Sequence, residues 1–78
     1  MISLTDRVVH TLAPYLGQTA ARASVQMFLE KSRLQVGTFG TQHLGQLAET
    51  LKPGLKVFIG AARAEVVATE ILGLRNGG

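Results

Sequence analysis

The residues that could carry out chemistry in this chain are few and are not arranged for it. The two histidines, His10 and His43, form no HxxxH or HxxE pattern, and the chain has no cysteine. No serine stands in a nucleophile-elbow context, and the segment from Gly37 to Gly40 lacks the lysine and the flanking strand of a phosphate-binding loop. Catalysis needs a nucleophile or a base with an orienting partner. We therefore expect no enzymatic activity, no metal and no cofactor.

The basic residues offer a second kind of chemistry, which is contact with phosphate. The net charge is +3, but it reflects a shortage of acids, and the eight lysines and arginines are dispersed. Arg22, Lys31 and Arg33 are the bases best placed to contact nucleic acid. A recognition helix over residues 41–51 would contain Glu49 and neither lysine nor arginine. A small basic nucleic-acid-binding protein is therefore the alternative function and not the favoured one.

The apolar content is high for so short a chain. Of the 78 residues 46% are apolar and 17% are charged, yet a domain of this length hides only about 60% of its unfolded surface. No disulfide compensates for the modest core. We expect a partner to cover some of the apolar surface, either a second copy or a larger protein, whereas a well-packed monomer rich in alanine and leucine is the alternative. The expected interface residues are small or exposed apolar ones: Ala20, Ala23, Met27, Phe39, Phe58 and Val66.

Composition also bears on location. The absence of cysteine gives no indication of an oxidising compartment. The N-terminus, Met-Ile-Ser-Leu-Thr-Asp, does not look like a signal peptide, and no apolar run approaches the roughly 20 residues of a membrane span. We expect a cytoplasmic protein.

The elements that would position these residues are helices, arranged around the stretch from Gly17 to Leu34. Two adjacent rows of apolar residues recur there at helical spacing and leave only a narrow polar strip. Such a helix is expected to be central, with other helices packed on several of its sides. The first row is Leu16, Ala20, Ala23, Met27 and Leu34, and the second is Ala21, Val25, Phe28 and Leu29.

The remaining segments predict an all-α bundle of four to five helices over residues 1–74, with a flexible tail at 75–78. Ser3 caps a first helix, in which Pro14 should cause a kink or a restart. Thr41 is the expected N-cap of a third helix. Pro53 should end that helix or begin a new one, unless it kinks a continuous helix, and residues 53–59 form either a short helix, which we favour, or a strand. A last helix runs from Ala61 to about Leu74.

One segment is repeated within the chain. The sequences Thr11-Leu-Ala-Pro-Tyr-Leu16 and Thr50-Leu-Lys-Pro-Gly-Leu55 share a Thr-Leu-x-Pro-x-Leu pattern, and each is followed by a glycine and then by Ala-Ala-Arg-Ala. A duplicated unit of helix, proline bend and helix would explain the pattern. Proline bends before alanine-rich helices are also common in such compositions, so both explanations stay open.

The first of these segments also resembles a known family. Residues 12–17, Leu-Ala-Pro-Tyr-Leu-Gly, lead into a helix rich in alanine and arginine. They are similar to the short helical module that accompanies bacterial serine/threonine kinases and nucleotide cyclases, although Gln18 and Thr19 replace the usual Pro-Ile. The resemblance implies a regulatory or assembly module in bacterial signalling, present here without a catalytic domain.

Overall fold

The computed structural model describes residues 3–76, and these form four α-helices with no β-strand among them. The helices are α1 (Leu4–Leu16), α2 (Gln18–Lys31), α3 (Leu44–Ile59) and α4 (Ala61–Gly73), with 3-10 turns at Thr41–His43 and Leu74–Asn76. The predicted all-α class is confirmed. None of the described helices is long and apolar enough to cross a bilayer. The expected tail at 75–78 falls partly within the second 3-10 turn and partly on Gly77 and Gly78, which lie outside the described residues.

Both prolines lie inside helices and divide neither of them. Pro14 is in the last turn of α1, and Pro53 is in the interior of α3. Each proline deprives the carbonyl group four residues earlier of its helical donor. Both prolines are exposed, so water can hydrate those carbonyl groups. The expected break at Pro53 is therefore wrong, as is the strand alternative for residues 53–59, because α3 is one helix of 16 residues.

Single glycines join the helices into two pairs, α1 with α2 and α3 with α4. Gly17 has φ 87° and ψ 157°, and Gly60 has φ 89° and ψ 157°, a conformation that is nearly exclusive to glycine. The N–H group of Gly17 donates to the carbonyl of Ala13 at 2.8 Å, and its own carbonyl accepts from Ala21 at 3.0 Å. Gly60 makes the corresponding bonds to Lys56 and Ala64. Each glycine therefore closes one helix and opens the next.

The two pairs correspond when they are aligned on these glycines, which are 43 residues apart in the chain. Ala21 and Ala64 then occupy equivalent positions, four residues after each glycine, and both are fully buried. The prolines of the repeated Thr-Leu-x-Pro-x-Leu pattern are only 39 residues apart. The repeated sequence segments are therefore out of register with the repeated geometry by about one helical turn.

The core lies within and between the pairs, and α2 lies to one side of it. Within each pair the helices pack extensively, and α1 also contacts α4, whereas α2 and α3 touch only sparsely. An arrangement around a central helix is thus not confirmed. The buried apolar residues are Val8, Val9, Leu12, Ala21, Val25, Phe28, Leu29, Phe39, Leu44, Leu47, Ala48, Leu55, Ala64, Val67, Ala68 and Ile71.

Only one of the two predicted rows on α2 is buried. Val25 and Phe28, from the row that also holds Ala21 and Leu29, are almost completely buried, as predicted. In the other row Met27 is 55% exposed and Ala23 is exposed. Leu16, Ala20 and Leu34 of the same row are half-buried, so the chain covers this row only in part, and α3 makes few contacts with α2 there.

The segment from Ser32 to Gly40 connects the two pairs and is held by Phe39. Arg33 adopts a left-handed conformation (φ 57°) after α2, and the N–H group of Leu34 donates to the carbonyl of Leu29, as in a Schellman cap. Phe39 is 6% exposed and meets Phe28 edge-on, with the ring centres 6.1 Å apart. The connection is therefore anchored in the core.

The two predicted N-caps have different outcomes. The Ser3 hydroxyl accepts a hydrogen bond from the N–H group of Asp6 at 3.1 Å, which confirms the cap of α1. At the start of the second pair, Nδ1 of His43 accepts from the N–H group of Gly40 at 2.9 Å, and its ring stacks on Phe39. Thr41 lies inside the 3-10 turn, whose N-cap residue is Gly40, and no side chain caps the start of α3, so the prediction of Thr41 as the N-cap is wrong.

Candidate interaction surface

An apolar groove runs between α2 and α3, where the two helices fail to close on one another. It has a volume of about 370 Å³, and Leu16 at the end of α1 also contributes to it. The only charged side chain in its lining is that of Lys31. The lining residues are Leu16, Ala20, Ser24, Met27, Phe28, Lys31, Thr50, Leu51, Gly54, Leu55 and Phe58.

Both walls of the groove have the residue spacing of a helix-packing seam. On α2 the lining residues Ala20, Ser24, Met27 and Lys31 are separated by four, three and four residues, and Phe28 lines the groove beside Met27. Lining residues on α3 repeat the same alternation, from Leu51 to Leu55 to Phe58. Steps of three and four residues align side chains along one stripe that can interlock with another helix. Two seams therefore lie side by side with no helix packed on them.

The groove is bordered by large apolar side chains that are exposed to solvent. Met27 is 55% exposed on α2, and Phe58 is 67% exposed on α3. Val57, next to Phe58, is 91% exposed. Single exposed apolar residues are common on protein surfaces, but a contiguous group next to an apolar groove is typical of an interaction site.

The structure brings three of the six expected interface residues together in the groove. Ala20, Met27 and Phe58 line it, and Ala23 is exposed on α2 but outside the lining. Val66 is 51% exposed on α4, which contributes no residue to the groove. Phe39 is wrong as a contact residue, because it is buried against Phe28 and His43. A glycine next to a phenylalanine in the sequence does not show on which side the ring packs.

Sequence reasoning missed Gly54 as part of this surface. Gly54 lines the groove, and a Cβ atom added there would meet no atom within 4 Å. The available signal was its position three residues after Leu51 and four before Phe58. Expecting Pro53 to end the helix concealed that spacing.

The bases considered for nucleic-acid contact are not brought together. Arg22 and Lys31 are nine residues apart on α2, which is two and a half turns, so they lie on opposite faces of the helix. Lys31 lines the groove, whereas Arg22 lines a separate cleft between α1 and α2 that also contains His10. Arg33 lies beyond α2 in the cap of that helix. These three side chains do not form one phosphate-binding surface.

Two electrostatic contacts lie outside the groove and join α4 to other helices. Lys52 Nζ is 2.7 Å from Glu65 Oε2, and this hydrogen bond raises the pKa of Lys52 and lowers the pKa of Glu65. The Tyr15 hydroxyl donates to Glu70 Oε2 at 3.2 Å. Desolvation, and then this bond, raise the pKa of Tyr15. Both contacts are between helices and have a structural role.

Nothing among residues 3–76 resembles a metal centre, because no three histidine, cysteine, aspartate or glutamate side chains cluster there. No protein-family model matches the chain, and no curated protein or solved structure is significantly similar to it. The apolar groove between α2 and α3 is therefore the feature of the described residues that bears on function.

Proposed function

We propose that this protein is a small non-catalytic assembly module that binds another protein through the groove between α2 and α3. Self-association is the form we favour, and docking on a larger bacterial protein is the other. The observation that supports the proposal is an apolar groove with seam spacing on both walls and with Met27 and Phe58 exposed at its border. A helical partner would complete the packing that the chain leaves open.

The free energy available from the groove favours a transient contact. Fully burying a methionine or phenylalanine side chain contributes about 1.5–3 kcal/mol. Met27 and Phe58 are 55% and 67% exposed, so each has about 1–2 kcal/mol still to gain. Association costs at least about 4 kcal/mol in lost translational and rotational freedom. The two side chains together offset that cost at most, so the walls of the groove must supply the net affinity.

The charge of the groove limits what can bind there. Its lining has no acidic residue, and its one cation, Lys31, can keep its ammonium group in water while its methylene groups cover apolar surface. A partner surface that is mainly apolar fits this arrangement without leaving a buried charge unpaired. A strongly basic partner does not.

A biological setting is suggested by the resemblance of residues 12–17 to the helical module that accompanies bacterial serine/threonine kinases and nucleotide cyclases. Those residues end α1 and include Leu16, which lines the groove. We propose on this basis that the chain assembles or regulates a bacterial signalling protein in the cytoplasm.

Photo-crosslinking in cells tests the proposal without assuming the identity of the partner. Benzoylphenylalanine is placed at position 58, in the groove, and in a matched variant at Val36, which is similarly exposed (54%) but lies in the connection after α2. We expect a discrete protein adduct from position 58 and none from position 36. Absence of an adduct at position 58, or the same adducts from both positions, would contradict the proposed function.

A further inference from the structure

We infer that the cleft between α1 and α2 is a second binding site, which takes a small phosphorylated sugar or polyol. The inference does not depend on the groove between α2 and α3, because Arg22 in the cleft and Lys31 in the groove lie on opposite faces of α2. The cleft has a volume of about 590 Å³, within the range of about 300–1,000 Å³ that small-molecule sites occupy. Its lining residues are Asp6, Arg7, Val9, His10, Thr11, Gln18, Arg22 and Leu74.

The helical repeat places the polar residues of the cleft in two stripes. On α1, His10 and Thr11 follow Arg7 by three and four residues, so the three side chains share one face. On α2, Gln18 and Arg22 are four residues apart and share a face as well. The glycine turn between the two helices folds α2 back on α1, so both stripes border the same cleft.

Positive charge is concentrated at this cleft. Arg7 and Arg22 line it, and Arg75 lines a smaller neighbouring cleft that shares Arg7 and Leu74 with it. Asp6 is the one acidic residue among the described residues that line the two clefts, so their net charge is +2, out of +3 for the whole chain. The amino end of α2, which no side chain caps, begins at the cleft and adds the positive end of a helix dipole. An anion is therefore attracted to this part of the surface.

The type of these cations favours a phosphate group. All of them are arginines, whereas the three lysines of the chain lie elsewhere. A guanidinium group presents its N–H donors in a planar fork that matches two oxygens of a phosphate, which an ammonium group does not. Arg7 is half-buried, so part of its side-chain freedom is already lost before a ligand binds. A phosphomonoester carries about −1.5 to −2 charges at pH 7, which balances the charge of this surface.

The other polar groups of the cleft suit hydroxyl groups on the same ligand. The Thr11 hydroxyl donates its only hydrogen to the carbonyl of Arg7 at 2.9 Å, so it offers a ligand only an acceptor. The Asp6 carboxylate is also an acceptor, and it would repel a phosphate oxygen. Both can accept hydrogen bonds from the hydroxyl groups of a sugar or polyol, and the amide of Gln18 can donate or accept. A ligand with a phosphate group and several hydroxyl groups therefore satisfies the whole set.

The cleft does not favour a nucleotide or a duplex. No aromatic side chain among its described lining residues offers a nucleobase a ring on which to stack. The apolar part of the lining is aliphatic, from Val9 and Leu74, and fits the C–H groups of a polyol. Duplex DNA carries one negative charge about every 1.7 Å along its axis, whereas Lys31 lies on the opposite face of α2 and does not extend this basic surface.

Isothermal titration calorimetry of the whole chain at low salt tests the site. We expect glucose 6-phosphate to bind, inorganic phosphate to bind more weakly, and glucose not to bind. Arg22→Gln should weaken the binding of glucose 6-phosphate by roughly tenfold or more, because it removes a charge-assisted fork. The matched control is Arg63→Gln, which removes the same charge from an exposed arginine on α4 outside both clefts. This control should bind within about twofold of wild type, and both variants should melt as wild type does, since glutamine is also a good helix former.

Asp6→Ala separates recognition of the hydroxyl groups from recognition of the phosphate. Loss of the carboxylate removes a repulsive charge, so inorganic phosphate should bind more tightly than it does to wild type. Glucose 6-phosphate loses an acceptor for its hydroxyl groups at the same time. We therefore expect its advantage over inorganic phosphate to fall by about threefold or more. An unchanged advantage would overturn the assignment of a sugar or polyol.

The remaining outcomes identify a different occupant or none. Equal binding of glucose and glucose 6-phosphate, or binding that is insensitive to Arg22→Gln, overturns the site. Tighter binding of a short DNA duplex than of glucose 6-phosphate overturns the small ligand in favour of nucleic acid. Phosphatidylcholine vesicles that contain phosphatidic acid present the same phosphomonoester on a lipid, and binding to these vesicles without binding of glucose 6-phosphate overturns a soluble ligand. The crosslink from position 58 should persist in Arg22→Gln, so failure of this site leaves the proposed function standing.

Discussion

Substitution of the two glycine turns is the most direct test of how the helix pairs are built. Gly17 and Gly60 have φ near +88° with ψ 157°, and an added Cβ atom meets no other atom at either position. The cost of Gly17→Ala or Gly60→Ala is therefore almost entirely backbone strain, about 1–3 kcal/mol each. A domain of this length is stable by about 4–12 kcal/mol in total. We expect each variant to melt roughly 10 °C lower and the double variant to be partly unfolded.

Chemical denaturation followed by circular dichroism measures these free energies of unfolding at a concentration below that of self-association. Gly54→Ala is the internal control, because a helical glycine with open space around it should gain about 0.5–1 kcal/mol when replaced. D-Alanine at position 17, introduced by chemical synthesis, should restore stability, since a D-residue tolerates positive φ. The reasoning is refuted if Gly17→Ala unfolds within about 0.5 kcal/mol of wild type or if D-alanine is as damaging as L-alanine.

Two further predictions concern Tyr15 and Phe39. Tyr15 is the only tyrosine, so its ionisation can be followed by phenolate absorbance, and burial together with its bond to Glu70 should place the midpoint above 10.0. Because the pKa of Tyr15 is higher in the folded than in the unfolded state, Tyr15 contributes stability below the unfolded pKa, and this contribution is lost as pH rises through the folded pKa. The free energy of unfolding should therefore decrease less steeply at alkaline pH in Tyr15→Phe. A midpoint at or below 10.0, or no decrease of the midpoint in Glu70→Gln, would contradict this. Phe39→Ala should lower the free energy of unfolding by about 3–5 kcal/mol, with a smaller loss in Phe39→Leu, while folded molecules associate as before. Phe58→Ala should weaken association and leave the free energy of unfolding nearly unchanged. Sedimentation of the Phe39 and Phe58 variants measures association, and urea titration measures their free energy of unfolding.

Much of the fold could be predicted from the sequence because its main signals are local. The 3.6-residue period of apolar side chains identified α1, α2 and α4, and a hydroxyl before an acidic first turn identified the Ser3 cap. The predicted end of the third helix at Pro53 was wrong. Proline is costly in helices on average, but at this exposed position water can satisfy the carbonyl group that it leaves without a donor. Thr41 lies inside a 3-10 turn and not before a helix, and the packing of the His43 ring on Phe39 at this turn is a contact that no local preference contains.

The candidate site was predicted in part, and the misses share one cause. Periodicity shows that a side chain belongs to an apolar stripe, but it does not show whether that stripe faces the chain's own core. Phe39 and Phe58 were equivalent in the sequence as aromatics beside glycines or in short segments. In the structure one is 6% exposed and the other 67%. The difference comes from the course of the connection after α2, which folds Phe39 back onto Phe28.

The two apolar rows on α2 show why the prediction of a central helix and the structure differ. Such a helix needs neighbours on both rows, and within one chain the row that contains Val25 and Phe28 is buried whereas Ala23 and Met27 of the other row are exposed. The row with Met27 has the same kind of spacing and composition, so a helix from any source could pack on it. If a second copy occupies the groove, α2 is covered on both rows and becomes central in the dimer.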